Sequence, residues 1–565
     1  MEKIPTPQNL PISQLMEDIN EGRMKLPEMQ RPYVWTKQQV LDLFDSLYRG
    51  YPIGTILRWQ SNNSEVKMRD FALNETNKNK FMESFMLLDG QQRLTSLSAV
   101  INGQKIKARS KKNLIDLDIY FNLAGSSELT TEPIDKEDAD DEDEDFEEQE
   151  AMTKDNGSAL FVIGDKQIAS NKSYISLSKL YQFSDAYEFL IATGYESNVI
   201  GSYYKKLKPL FEIRNMELPV TTLSKKLSYK EVVDIFVRTN SKGTRLTSCD
   251  LALAKITSKW TGSLKLFEDF IDNCTEWDLN MDTLLRTLTA ILTGKGDFEA
   301  LDSLSKEELE KGWEHTKNAI NSAINYLTKR FNIETGILLT SYHFLVVLAY
   351  FVHLNDKKCI SNDELNYMYR WILIGSAKGR YGSSADTRLN DDLATIKSGK
   401  ITQLLELLKQ QTPLEITESD LTGAQEKKGY LKLIFILMRY KKLGMDPMTK
   451  MPLSVKNKGK KDSIEKHHLF PKNQLKNKWD NNMINDLSNF TFIGKVTNVK
   501  ITDREPEEYL EEILTISGEK ILQEHFIPLD KELWKLENFP RFLSERRKLL
   551  VKFINDSLKE IENEK

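Results

Sequence analysis

Two of the chain's six histidines are adjacent, His467 and His468 in the string SIEKHHLFPKNQL. Downstream, DLSNFTFIGKVTNVK carries Asn489 and Asn498, nine residues apart. A His beside a second possible ligand, a Pro at 471 and two later amides are the residue types that hydrolysis of a phosphate ester at one divalent metal requires. One imidazole takes a proton from water, and a neighbouring side chain with a later Asn or His holds the ion. A further Asn fixes the ring of the base, while the metal stabilises charge on the phosphate. Adjacent residues of a strand face opposite sides, so His467 and His468 cannot do the same job. Alone, an HH pair reads as a surface or packing pair; Pro471, Asn489 and Asn498 at their spacings move the reading toward chemistry. Zinc-finger binding fails for lack of sulfur, because Cys249, Cys274 and Cys359 are scattered and no CxxC occurs. The same count favours a reducing compartment.

LLDGQQRLTSL (87–97) is the second informative string. An apolar strand ends at Asp89, Gly90 permits a tight turn, and a helix starts within Gln91–Leu94. Helix N-terminal amides make an anion site, and Gly lets a phosphate approach the backbone. Arg93 can pair with phosphate, and Asp89 can coordinate Mg2+ or position water. No GxxxxGK[ST] occurs, so this is not a P-loop. Asp-Gly before a helix is also ordinary turn chemistry, and the residues alone leave both readings open.

The elements that must position these residues follow from periodicity. TKQQVLDLFDSLYRG has apolar residues at Val40, Leu43, Phe44 and Leu47, which is helical spacing. YPIGTILRW reads as turn and strand, and IDLDIYFNL (115–123) alternates like a strand. From Tyr229 onward the chain reads as helical, interrupted by RYGSSADTRLNDD (380–392) and the Lys-rich MTKMPLSVKNKGKKDS (448–463). GILLTSYHFLVVLAYFVH (336–353) is short for a bilayer span and reads as a buried core helix. No membrane partner is expected, and MEKIPTPQNLPISQ has no apolar h-region, so the expected location is the cytoplasm.

Length and composition fit a soluble protein of about three or four domains. With 25 Phe, 20 Tyr and 8 Trp, a wholly disordered chain is excluded. The net charge of −5 conceals a split. Residues 132–150 (EPIDKEDADDEDEDFEEQE) hold thirteen acids and one Lys, so the rest of the chain is net positive. Residues 423–500 hold seventeen Lys or Arg against six acids. That basic window contains the HH string and suits a nucleic-acid partner. Lys472, Lys495 and Lys500 are expected phosphate contacts. The acid run reads as an exposed solubilising insert, or as a DNA mimic that masks the basic groove.

HHLFP followed by LSNFTFIGKVTN resembles the HNH (His-Me finger) nuclease motif. The resemblance implies His468 as general base, His467 as metal ligand where Asp is usual, Asn489 as the residue that orients the base, and Asn498 as second metal ligand. The implied ion is Mg2+ or Mn2+, with Ni2+ a further option, since imidazole ligates the softer ions better. PEMQRPYVWTKQQVLDLFDSLYRGYPIGTILRW with LLDGQQRLTSL resembles the N-terminal domain of the GmrSD-type, modification-dependent (type IV) restriction endonucleases, a ParB/sulfiredoxin-like fold. IFVRTNSKGTRLTSCDLALAKI and GRYGSSADTRLNDDL resemble segments of the same family. This implies an NTP (GTP, UTP, CTP or ATP) bound and hydrolysed at Asp89, Gly90, Gln91, Gln92 and Arg93, with Asp89 and Arg93 catalytic. Gln30, Arg31 and Asn240 are implied for the same pocket, together with Arg238 and Gly243. Met29 and Tyr33 are candidates for lining a pocket for the modified group, whereas Pro32, Tyr33 and Trp35 also read as packing.

The expected architecture is therefore multidomain α+β. An N-terminal ParB/sulfiredoxin-like α/β domain (1–225), a helical middle (226–420) and a C-terminal ββα-metal HNH domain (421–565) follow in order. The expected function is NTP-regulated endonucleolytic cleavage of modified double-stranded phage DNA in bacterial defence, with a homodimer to cut both strands. The rivals are a nucleic-acid-binding regulatory NTPase switch with a degenerate nuclease, and a nonspecific abortive-infection nuclease.

Overall fold

The computed structural model describes residues 6–27, 33, 35–61, 68–69, 84–107, 114–124, 160–164, 166–227, 231–232, 235–236, 247–356, 359–423, 428–453 and 464–564. They form two compact units, Met1–Leu264 and Lys265–Lys565. The expected boundaries at 225/226 and 420/421 fall inside the first and the second unit respectively.

The first unit is built on a six-stranded sheet. Its elements in chain order are β1 (Thr6–Pro11), α1 (Ile12–Asn20), β2 (Met24–Pro27), α2 (Lys37–Tyr48), β3 (Ile56–Ser61), β4 (Met68–Arg69), β5 (Ser84–Asp89) and α3 (Gln91–Asn102). A smaller sheet of β6 (Ile119–Asn122), β7 (Phe161–Ile163) and β8 (Tyr174–Ser176) follows, then β9 (Glu217–Leu223) and α4 (Ser248–Lys259). The large sheet runs β1-β9-β3-β5-β2-β4, with β5 parallel to β2 and antiparallel to β3. Alternation along β3 and β5 feeds two cores. Ile56 and Leu87 face the residues of α1, α2 and α3, among them Leu15, Phe44 and Leu97. Leu57, Trp59, Met86 and Leu88 face Val232, Phe236 and Ala254 on the other side. Burial on both faces is why β5 reads as an unbroken apolar run rather than an alternating one.

α2 starts at a capping box. Thr36 Oγ1 accepts from Gln39 N and the Gln39 side chain accepts from Thr36 N. The four apolar residues expected on its inner face are all buried. β6 and β7 pair antiparallel, Phe121 opposite Phe161. The acid run 132–150 lies in the connection between them, outside the described residues.

The second unit is mainly helical. α5 (His343–Leu354) is buried from Phe344 to Val352, as an all-round apolar helix must be. The break before α6 (Ala385–Lys397) is stitched by a buried ion pair. Arg380 donates to both carboxylate oxygens of Asp392, and Tyr381 Oη donates to the same carboxylate. Beyond it lie the antiparallel hairpin β10 (Ile464–His468) and β11 (Phe490–Gly494), the helix α7 (Lys495–Ile501) and the long α8 (Phe539–Asn563). A core of Phe470, Trp534, Phe539 and Phe542 supports this end.

Candidate active site

The C-terminal constellation is held on two strands and a helix. In the hairpin His467 pairs with Thr491 and His468 with Phe490. α7 follows β11 without a loop and packs on both strands. Buried Asp446 sets that junction, accepting from Gly494 N at 2.7 Å and from Thr497 Oγ1 at 2.6 Å. Burial pushes its carboxyl up, but the hydrogen bonds from Thr497, Thr449 and Gly494 outweigh this and hold it below the usual range.

His467 points to the α7 side of β10. Its Nδ1 stands 2.8 Å from Asn498 Oδ1, and Asn498 Nδ2 lies 3.5 Å from Glu465 Oε2. Glu465 and His467 share a face because they are two apart on the strand. His467 is 6% exposed, and its buried Nε2 has no hydrogen-bond partner among the described residues. Burial pushes it down to about 4, helped by neighbouring His468 and opposed by Asn498. A ring held neutral keeps a lone pair for a metal at neutral pH. An imidazole nitrogen, an amide oxygen and a carboxylate are a donor set that fits a divalent cation. The amide oxygen of Asn498 accepts, so Nδ1 carries the proton of this contact and Nε2 holds the ring's lone pair, a tautomer assigned from the contact.

His468 faces the other side. Its Nε2 is 3.1 Å from Asn485 Oδ1, and its ring packs on Phe490 with centroids 4.3 Å apart. An amide oxygen accepts, so Nε2 carries the proton and Nδ1 is the free acceptor, a tautomer assigned from this contact. Burial lowers the pKa of His468, Lys466 and Lys472 lower it further, and the Asn485 bond opposes them. The ring is thereby kept neutral and able to accept a proton.

The amide on the His468 ring is thus Asn485, and the expected contact from Asn489 is not made. Asn489 is wholly buried one step away. Its Oδ1 accepts from Phe470 N at 2.8 Å, and its Nδ2 donates to Phe470 O and Ile484 O. The 3-10 turn Leu487–Asn489 rotates this side chain inward, where it ties the segment after His468 to the start of β11. Arg546 of α8 braces the same turn from behind, donating to Ser488 O and Phe490 O. Of the three lysines, Lys472 is exposed and its charge reaches His468. Lys495 is exposed at the first turn of α7. Lys500 is ion-paired to Glu512 at 2.7 Å, so its charge is already shared.

The N-terminal constellation sits where β5 runs into α3. Gly90 is left-handed (φ +96°), and a Cβ there would come within 2.4 Å of Ile56 Cδ1. Asp89 Oδ1 accepts from Gly90 N at 2.7 Å. Gln91 and Gln92 are buried, and Gln92 Oε1 accepts from Trp35 N. Tyr33 is buried against Ser96, 2.8 Å from its hydroxyl, and burial raises its phenol to about 12. Arg93 is turned toward the loop before β3. It donates to Ile53 O and to Thr55 O (2.9 Å), with Asp89 Oδ2 at 3.5 Å. Burial lowers its pKa and Asp89 opposes that. Arg93 therefore pins loop 53–55 to the helix start. Met29, Gln30, Arg31, Pro32, Arg238, Asn240 and Gly243 lie outside the described residues.

Against this geometry, one family and one relative are informative. Residues 12–257 match the GmrSD restriction endonuclease N-terminal domain. The matched stretch covers almost the whole first unit, including the β5–α3 junction. An uncharacterized protein from Methanocaldococcus jannaschii is 26% identical over 614 residues, covering 96% of this chain and 97% of its own. This second likeness runs beyond residues 12–257 into the helical and hairpin regions. No helix among the described residues is long and apolar enough to cross a membrane.

Glu465 and Asn485 were not among the residues expected at the site. Glu465 was findable from alternation, because it is two residues from His467 on a predicted strand. Asn485 had no such signal, since a turn of unknown path separates it from His468.

Proposed function

We propose that the chain is a metal-dependent DNA endonuclease of the GmrSD type, gated by a nucleoside triphosphate and directed at modified double-stranded DNA. The observation that carries this is the His467–Asn498 contact on a strand–strand–helix unit, in a chain whose residues 12–257 match the GmrSD N-terminal domain. His467, Asn498 and Glu465 would hold the ion. A divalent ion bound there would supply positive charge for the phosphate and the leaving oxygen. His468 Nδ1 takes the proton of the attacking water, and Asn485 keeps Nε2 protonated and the ring in place. Asn489 fixes the path of the chain after His468 rather than the ring itself. Lys472 and Lys495 offer cations to the backbone of the nucleic acid.

In the N-terminal unit the N-terminal turn of α3, with its positive dipole end after Gly90, suits a phosphate, and Asp89 at its edge suits a nucleotide-bound cation. Arg93 keeps the Ile53–Thr55 loop against that turn. Cutting both strands of a duplex calls for two copies or two successive nicks. The proposed setting is defence against modified phage DNA in the cytoplasm.

The deciding experiment is a cleavage assay of wild type and His468→Ala on modified and plain phage DNA, with Mg2+, Mn2+ or Ni2+, with and without each NTP. Cutting that needs modification, metal and His468 supports the proposal. Undiminished cutting by the variant sinks the site. NTP turnover without any strand scission replaces the proposal with a regulatory NTPase switch.

A further inference from the structure

One face of α8 carries a charge pattern that neither candidate site uses. Arg541, Glu545, Leu549, Lys552 and Asp556 recur at helical spacing and line one open groove of about 750 Å³. Phe526 and Leu529 line the same groove. All five helix residues are exposed, and Leu549 and Leu529 keep 41% and 38% of their surface in water. Among the described residues Arg541, Lys552 and Asp556 make no ion pair. Glu545 is paired with Lys548, three residues on, an exposed contact that is worth little and easily exchanged.

The order along the stripe is positive, negative, apolar, positive, negative. It is antisymmetric about the peptide between Lys548 and Leu549. Arg541 and Asp556 lie equally far on either side of that point, and so do Glu545 and Lys552. A second α8 laid antiparallel across a two-fold axis there meets opposite charge at every step. Arg541 faces the partner's Asp556, and Glu545 faces the partner's Lys552. Leu549 lies near the axis, beside the groove wall of Phe526 and Leu529. A parallel arrangement would set each charge against itself. Self-complementarity of this kind is what an isologous two-fold contact demands. From 541 to 556 the stripe covers about 22 Å of helix.

We propose that this face of α8 is the homodimer surface of the chain, an antiparallel α8–α8 contact about a two-fold axis at Leu549. It supplies a surface for two-copy assembly, one of the two routes to cutting both strands. It rests on the α8 stripe, so its failure would leave the nuclease reading untouched.

The test is sedimentation velocity of the full-length protein over a concentration series, with wild type, Arg541→Asp, Asp556→Arg and the double variant. Wild type should dimerise. Each single reversal places like charges together at both ends of the contact and should weaken dimerisation at least about ten-fold. The double variant restores opposite charges and should return to within about three-fold of wild type. Glu545→Lys combined with Lys552→Glu is a second swap with the same expected rescue. Both pairs are exposed, so near-UV circular dichroism should be unchanged. A wild type that stays monomeric throughout overturns the proposal. So does a dimer indifferent to single reversals, or a double variant no tighter than the singles.

Discussion

His467 Nδ1 and Asn498 Oδ1 stand 2.8 Å apart, one from the end of strand β10 and one from the helix that follows its partner strand. An amide oxygen accepts, so Nδ1 donates in this contact, with Glu465 beside the Asn498 amide; under the proposed role a divalent ion would displace that proton. The expected consequence is specific to this pair. His467→Ala and Asn498→Ala should each weaken Mn2+ binding about 10- to 100-fold, the range typical for disturbed metal sites. Asn498→Asp, which adds a charge, should tighten it. Calorimetric titration with Mn2+ reads this without reference to cleavage. Equal affinity in all four proteins would remove these residues from metal binding.

Asn485 and Asn489 should separate cleanly. Asn485→Ala removes a hydrogen bond to the His468 ring, the proposed base, and should lower kcat by about ten-fold or more, with little change in Tm. Asn489→Ala leaves three buried backbone groups without partners. At roughly 1–3 kcal/mol per unsatisfied group, its main effect is a lower Tm. The two readouts are cleavage rate and thermal unfolding. The reverse pattern would restore Asn489 to the ring.

Gly90 is a conformational requirement as well as a steric one. A left-handed φ costs an L-residue about 1–2 kcal/mol, and the Ile56 contact adds to that. Gly90→Ala should destabilise the first unit and reduce nucleotide binding. Arg93→Lys should be milder in stability, because the lysine charge remains. It loses the forked donation to Ile53 O and Thr55 O, so loop 53–55 should become protease-sensitive. Limited proteolysis and fluorescent-nucleotide titration measure the two effects. An Arg93→Lys protein as protease-resistant as wild type would show that the loop does not depend on the guanidinium.

His525, beneath the hairpin, gives a pH prediction for stability. It is fully buried, with Nε2 donating to Met445 O at 2.8 Å and Nδ1 accepting from Thr491 Oγ1 at 2.9 Å. Burial lowers its pKa below the unfolded value of about 6.5. The unfolded chain therefore takes up a proton in a range where the folded chain does not. The stability this group contributes is complete above pH about 6.5 and is lost as pH falls through its folded pKa. Tm should drop on acidification from neutral pH, and His525→Gln should flatten that slope while lowering Tm overall. Parallel Tm–pH curves for the two proteins would assign the acid sensitivity elsewhere.

Much of this was legible in the chain before folding. Apolar spacing located α2 and α5, and the strand–Gly–helix string located β5 and α3. Adjacency alone separated His467 from His468, because a strand sends neighbours to opposite faces. Those inferences depend on local geometry, which periodicity records. What the sequence left open is set by long-range contacts. Arg93 looked like a phosphate ligand, and its donors are taken by carbonyls about forty residues earlier, a distance no local pattern encodes. Lys500 looked like a free cation until α7 was placed beside Glu512. The partner of His468 was misplaced by four residues, since a 3-10 turn decides which amide reaches the ring. The sequence by itself determined which residue types were available for chemistry and which strand or helix would hold each. Only the tertiary structure decided which donors and acceptors remained free, because hydrogen bonds between distant segments use them first.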